Sequence, residues 1–173
     1  LDVFAYSGGF SAYAAAGGAR TVTSLDISAP ALETAKGNFA LNQDDINVKS
    51  SHHKTMVDDA FTALKRLRAE GQSFDMVIVD PPSFAKSAIE VERALVAYTR
   101  LTRLALDVLE DGGILMIASC SSRVSAESFF NAVLRAADGV GRSLTEIKRT
   151  SHAIDHPIGF PEGAYLKCLF ANV

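Results

Sequence analysis

The sequence predicts an α/β fold built on a seven-stranded, mostly parallel sheet with an antiparallel last strand, and three observations predict it. Apolar runs of strand length alternate with longer stretches of helical periodicity, the pattern of repeated β-α units. Each strand-length run is flanked by Gly, Asp, Asn or Pro, which punctuate the chain. The loop 150–163, between the last two runs, is too short for a crossover helix, so the final pairing is antiparallel.

The elements follow in order. A first strand at 1–5 meets the turn Tyr6-Ser7-Gly8-Gly9 and a helix at 9–16. The second strand, 21–25, stops at Asp26, and a helix capped near Ser28 spans 29–42. A third strand is placed at 46–50 and a helix at 59–70, opened by Asp58-Asp59. The fourth strand, 74–79, ends in Asp80-Pro81-Pro82, and a helix follows at 89–109. The fifth strand, 114–118, ends at Ser119-Cys120, with a Ser-capped helix at 125–137 and closing strands near 143–149 and 164–171.

A chain of 173 residues can bury roughly two-thirds of its unfolded surface, so it needs no disulfide scaffold. With 48% hydrophobic and 21% charged residues, disorder, collagen and coiled coil are excluded. Lys and Arg total 17 against 20 Asp and Glu, a net charge of −3, so any RNA contact must be local. Two cysteines, no signal peptide and no 18-residue apolar run lead to the expectation of a reducing cytoplasm and no membrane partner. Leu1, not Met, opens directly into a strand, which leads to the expectation of a fragment. No linker divides the chain, so 1–173 is read as one domain.

In an open α/β sheet, ligands settle beyond the carboxyl ends of the strands, so the residues there are read as a set. The glycines of Tyr6-Ser7-Gly8-Gly9-Phe10 let backbone approach a ligand, although a tight strand-to-helix turn would also need them. Asp26, followed by Ile27, sits where an acid receives ribose hydroxyls or caps the next helix. Asp58, Asp59 and Ala60 open a helix; the acids serve its dipole or accept from an adenine amino group, and capping is assigned to one of them. Asp80-Pro81-Pro82-Ser83-Phe84 is the strongest local motif, because two prolines fix an extended backbone behind a carboxylate.

Cys120, flanked by Ser119, Ser121 and Ser122, is placed at the open edge facing the same space as Asp80, whereas Cys168 lies in the apolar alternation of the last strand and is assigned to the core. His52, His53, His152 and His156 do not combine with the cysteines at zinc spacing, so no metal is expected. Lys86 is placed to touch a substrate phosphate. Lys65, Arg66 and Arg68, like Arg93, Arg100 and Arg103, read as solvated faces.

Together, Asp2-x-Phe4, Tyr6-Ser7-Gly8-Gly9-Phe10, Leu25-Asp26, Asp59-Ala60-Phe61, Asp80-Pro81-Pro82-Ser83-Phe84 and Ser119-Cys120-Ser121 resemble the class I S-adenosylmethionine-dependent methyltransferases. Within them the chain resembles the bacterial large-subunit ribosomal RNA 5-methylcytosine methyltransferases. Asp155-His156-Pro157 and Pro161-Glu162-Gly163-x-Tyr165-Leu166-Lys167 strengthen that match, which spans essentially the whole chain. The resemblance implies a Rossmann-like methyltransferase fold with helices on both faces, S-adenosylmethionine as cofactor and large-subunit ribosomal RNA as partner; a homodimer is compatible with it. It implies that Asp2, Tyr6, Ser7, Gly8 and Gly9 contact the methionine part, Asp26 with Ile27 the ribose, and Asp59 with Asp58 and Ala60 the adenine. Asp80 and Pro81 also reach the cofactor. Many relatives carry a second cysteine where this chain has Ser83, so product release does not rely on it here. Family members usually carry an RNA-binding PUA domain ahead of the first strand, which this sequence does not include.

The implied catalytic pair is Cys120 and Asp80. Carbon 5 of cytosine is a poor nucleophile, so a Cys120 thiolate adds at carbon 6 while Asp80 bonds N3 or the exocyclic amine. An ordinary thiol is only a few per cent thiolate at neutral pH, so a depressed Cys120 pKa or activation by substrate is expected, with faster iodoacetamide labelling than at Cys168. Phe84 either stacks on an unstacked base or packs in the core. The competing readings are a methyltransferase for a purine amine or ring nitrogen, which needs no cysteine, one for a small molecule, and a non-catalytic binding module.

Overall fold

The computed structural model describes residues 1–160 and 163–173; Pro161 and Glu162 of the closing motif lie outside the described residues. The chain divides into two compact units, Leu1–Arg66 and Leu67–Val173.

The first unit carries β1 (Asp2–Val3), α1 (Gly9–Ala16), β2 (Thr21–Asp26), α2 (Ala29–Leu41), α3 (Ile46–Ser50) and β3 (His52–Val57), and α4 (Ala60–Ala69) begins in it. Its strands run parallel in the order β3-β2-β1, with Asp2 opposite Ser24 and Thr21 opposite His52. Central β2 buries every residue from Val22 to Leu25, and Ala15, Val22, Phe39 and Val48 form one apolar cluster.

The strand expected at 46–50 is instead α3, and the third strand comes after it. Asp45 decides this: its carboxylate accepts the amides of Asn47 and Val48 at 2.8 and 3.2 Å, capping a short helix despite its β-branched residues. β3 reads His-His-Lys-Thr-Met-Val and buries none of its residues fully, because it is the edge strand.

The second unit carries β4 (Phe74–Val79), a 3₁₀ turn (Ala88–Glu90), α5 (Val91–Leu106), β5 (Leu109–Ser119), α6 (Ala126–Asp138), β6 (Thr145–Thr150) and β7 (Lys167–Asn172). β4 and β5 are parallel; β7 runs antiparallel between β5 and β6, in the order β4-β5-β7-β6. The seven strands are therefore mostly parallel with an antiparallel last strand, flanked by helices, as the sequence predicts.

The helix expected to reach residue 109 stops at Leu106, and β5 starts early. Phe74 pairs with Leu109, then the register jumps to Met76 and Ile114 across a bulge. Arg142 fastens the bulge, donating to the carbonyls of Leu106, Leu109 and Glu110 at 2.5, 2.6 and 3.1 Å. Inside this unit, Phe84, Tyr98, Phe129 and Phe130 pack in sequence with ring centroids 5.0–5.4 Å apart. Phe84 thereby makes the core contact of its two alternatives while staying half-exposed. No described helix is long and apolar enough to cross a membrane.

Candidate functional site

In the first unit the turn after β1 is strained and anchored. Phe4 (φ 66°) and Tyr6 (φ 48°) are left-handed, which costs an L residue roughly 1–2 kcal/mol each. Fixed partners hold them there: Ala5 donates to the Leu25 carbonyl at 3.0 Å, Tyr6 to Asp26 Oδ2 at 2.9 Å, and Gly8 to the Ala5 carbonyl at 2.7 Å. The Asn38 amide donates to the Ser7 carbonyl at 2.8 Å. Gly8 is left-handed too (φ +74°), and a Cβ there would lie 2.7 Å from Ala35 Cβ; at Gly9 a Cβ would meet nothing within 4 Å. Gly8 is thus dictated by packing, whereas Gly9 leaves bare backbone at the start of α1, whose first turn holds no acid.

Asp26 is oriented by two amides, Oδ1 accepting from Ser28 at 2.8 Å and Oδ2 from Tyr6, which leaves lone pairs for further donors. Ser28, not Asp26, caps α2, its hydroxyl accepting from Ala31 at 3.3 Å. Ile27 beside it is 73% exposed. Asp59 is the cap of α4, Oδ1 accepting from the Thr62 amide and hydroxyl at 3.0 Å, while Asp58 pairs with Arg66 at 2.7 Å. Ala60 is buried.

Asp2 is buried, not displayed: its Oδ2 accepts from Ser11 at 2.7 Å. Ser11 meets Ser24 at 2.7 Å, and Ser24 meets His53 Nε2 at 2.8 Å. His53 stacks on Phe39, centroids 3.7 Å apart. The sequence sets His53 aside as fitting no zinc spacing and gives it no other role, so this hydrogen-bonded chain beneath the turn escapes it.

Burial first, then Lys36 and His52, hold the His53 pKa below 6.5. Its folded-state pKa being depressed, the unfolded chain takes up the proton first as pH falls through 6.5, and stability declines from there down to the folded-state value. The denaturation midpoint is therefore expected to fall more steeply between pH 7.5 and about 5.5 in the native protein than in His53→Gln. Equal slopes in urea melts would show that His53 does not carry the effect.

In the second unit, Asp80 and Cys120 follow the adjacent parallel strands β4 and β5, and their loops are tied together. The Cys120 thiol donates to the Pro81 carbonyl at 3.7 Å, and the Ser121 hydroxyl donates to the Ala85 carbonyl at 2.9 Å, where Ser83 also donates at 3.1 Å. Below them the Tyr98 hydroxyl donates to Ser119 Oγ at 2.9 Å. The two candidate catalytic groups thus share one partly buried place.

Burial raises the Asp80 carboxyl pKa from its ordinary value. The Cys120 thiol is pushed up, mainly by burial and further by Asp80. The expectation of a depressed thiol pKa is corrected here: the loop withholds water and sets a like charge beside the thiol. Cys168 is buried, its thiol raised to about 11, as a core cysteine should be.

Lys86 is exposed, its backbone amide held by Glu90 at 2.7 Å. Arg66 and Arg68 are spent on ion pairs with Asp58 and Asp107. Among the described residues no group of three or more His, Cys, Asp or Glu side chains is placed to hold a metal ion.

The pattern shared by S-adenosylmethionine-dependent methyltransferases matches residues 1–170. The chain belongs to that family. The chain is 48% identical over 173 residues to a ribosomal RNA large subunit methyltransferase of Deinococcus radiodurans, covering all of this chain and 41% of the relative. It is 40% identical over 169 residues to ribosomal RNA large subunit methyltransferase I of Vibrio vulnificus, covering 96% and 42%. It thus spans about two fifths of the length of these curated relatives.

Among solved structures, a methyltransferase from Streptococcus mutans superposes with a TM-score of 0.83 at 23% identity, covering 100% of this chain and 44% of that one. A methyltransferase complexed with SAH gives 0.82 at 24%, with the same coverage. At that identity the likeness shows the fold. The methyl donor of the family is S-adenosylmethionine. The first unit of the chain fits it: bare backbone at Gly9 begins a helix free of acids, and an oriented Asp26 carboxylate ends β2.

Proposed function

We propose that the methyltransferase is the catalytic domain of an RNA-modifying enzyme that forms 5-methylcytosine in large-subunit ribosomal RNA through a Cys120 adduct. The observation that carries this reading is the juxtaposition of thiol and carboxyl, with Cys120 on the Pro81 carbonyl and Asp80 one residue before it. The names of the relatives support the choice of RNA.

S-adenosylmethionine, when bound, supplies an electrophilic methyl group. The Tyr6–Gly9 turn receives its amino-acid part, Asp26 its ribose hydroxyls, and the α4 start its adenine, with Ile27 alongside; Asp2 supports the turn from beneath through Ser11. Asp80 hydrogen-bonds the N3 or amino edge of a cytosine taken out of its stack. Engaged with that edge as the neutral acid, Asp80 sets no like charge beside the thiol; the Cys120 proton leaves to solvent and the sulfur bonds carbon 6. The electron pair moves to carbon 5, which takes the methyl group. Transfer of the carbon-5 proton to a base drawn from solvent, with expulsion of the Cys120 thiolate, restores ring and enzyme.

The test is nucleoside mass spectrometry of unmethylated large-subunit RNA treated with full-length protein and labelled donor, beside Cys120→Ala. Label in 5-methylcytidine that falls by at least ~10³-fold in the variant is the expected result. Label in a methylated purine, or activity that survives the substitution, assigns the protein to amine or ring-nitrogen chemistry.

A further inference from the structure

Lys167 opens β7 and is 5% exposed; among the described residues no other lysine or arginine is buried. Its Nζ donates to three backbone carbonyls, Ser121 at 2.5 Å, Val124 at 2.6 Å and Tyr165 at 3.1 Å. Three acceptors match the three protons of an ammonium; a neutral amine would offer two and turn a lone pair toward an oxygen. The carbonyls satisfy its protons but supply no negative charge, and among the described residues it forms no ion pair. A buried cation in that state is costly and favours any anion that can form beside it.

The place where one can form is Cys120. Lys167 pairs across the sheet with Ser119, the residue before Cys120, and grips the carbonyl of Ser121, the residue after it. The titratable groups facing the thiol are Asp80 after β4, Tyr98 on α5 and Lys167 on β7. Of these, Lys167 alone favours the thiolate. We propose that Lys167 is a positioning residue for Cys120: its ammonium fixes the backbone of 121–124 behind the thiol and stabilises the thiolate that forms there. The direction is reciprocal, since burial lowers the Lys167 pKa and the Cys120 thiolate raises it. This rests on Cys120 as the nucleophile, and it explains how a thiol opposed by burial and by Asp80 becomes reactive once substrate engages that carboxyl group.

Lys167→Gln tests it, because the amide can still donate to two carbonyls but carries no charge. The readout is the pH profile of Cys120 alkylation by iodoacetamide, followed by peptide mass spectrometry with Cys168 as the slow internal reference. The profile is expected to move to higher pH. Below the thiol pKa, a rise of that pKa by about one makes labelling roughly tenfold slower. The kcat should fall with it while the donor KM holds. A folded Lys167→Gln with an unchanged Cys120 profile overturns the proposal.

A reciprocal measurement needs no change at Lys167. The lysine ammonium is titrated by NMR in native protein and in Cys120→Ala, where its pKa should drop; an unchanged titration also overturns the proposal. Neither readout requires methyl transfer. Activity surviving in Cys120→Ala would therefore remove the nucleophile reading separately from the coupling.

Discussion

Asp80→Asn is expected to lower kcat by about 10²–10⁴-fold, the usual contribution of a positioned acid or base, while Cys120 becomes easier to alkylate. The two changes have opposite signs for one reason. The carboxyl group is raised by burial and sits beside a thiol whose own pKa it raises, so neutralising it relieves the thiolate. Asparagine keeps the shape of the side chain on a backbone that Pro81 and Pro82 fix, but it can neither give up nor take a proton. A merely structural Asp80 would lose turnover without the gain in thiol reactivity. Single-turnover methyl transfer and Cys120 labelling on the same preparation decide it. A kcat within about threefold of native protein would take Asp80 out of the chemistry.

Gly8→Ala is expected to lower stability by about 2–5 kcal/mol. Left-handed backbone costs alanine roughly 1–2 kcal/mol. Overpacking against Ala35 at 2.7 Å adds about 1–3 kcal/mol, since Ala35 is itself fully buried in α2 and cannot withdraw. For a chain of this size that lowers Tm by about 5–15 °C. Gly9→Ala separates folding from ligand approach, because its Cβ meets nothing and its φ is not positive. It should melt within about 0.5–1 kcal/mol of native protein yet bind S-adenosylmethionine roughly tenfold or more weakly by calorimetry. Unchanged donor affinity in a well-folded Gly9→Ala would mean that the donor does not approach that backbone.

The sequence alone locates the helix at 9–16 and the strand at 74–79 because each has its own local punctuation, glycines in one case and Asp-Pro-Pro in the other. The meeting of Cys120 with the Asp80 loop is legible for a topological reason: residues that end neighbouring parallel strands emerge on one side. What escapes depends on distant partners. β3 is a polar edge with no apolar run to detect, and α3 exists because one Asp side chain closes two amides. Asp2 reads in the sequence as a ligand contact, whereas its bond to Ser11 and the link onward to His53 through Ser24 place it underneath. Lys167 reads there only as a strand residue closing a motif, and its place behind Cys120 is hidden because its three acceptors lie 2, 43 and 46 positions away.

The insertion of β7 between β5 and β6 has a consequence for synthesis on the ribosome. Of the seven strands, the last to leave the exit tunnel is the one that completes the ladder of β5 and brings in the ammonium behind Cys120. Until it arrives, β5 and β6 each present an open edge, a state in which nascent chains stick to one another. The first unit, by contrast, ends about a hundred residues earlier. A thiol site of the proposed kind is therefore completed only once β7 has emerged, roughly 5–20 s after the first unit at elongation rates of about 5–20 residues per second.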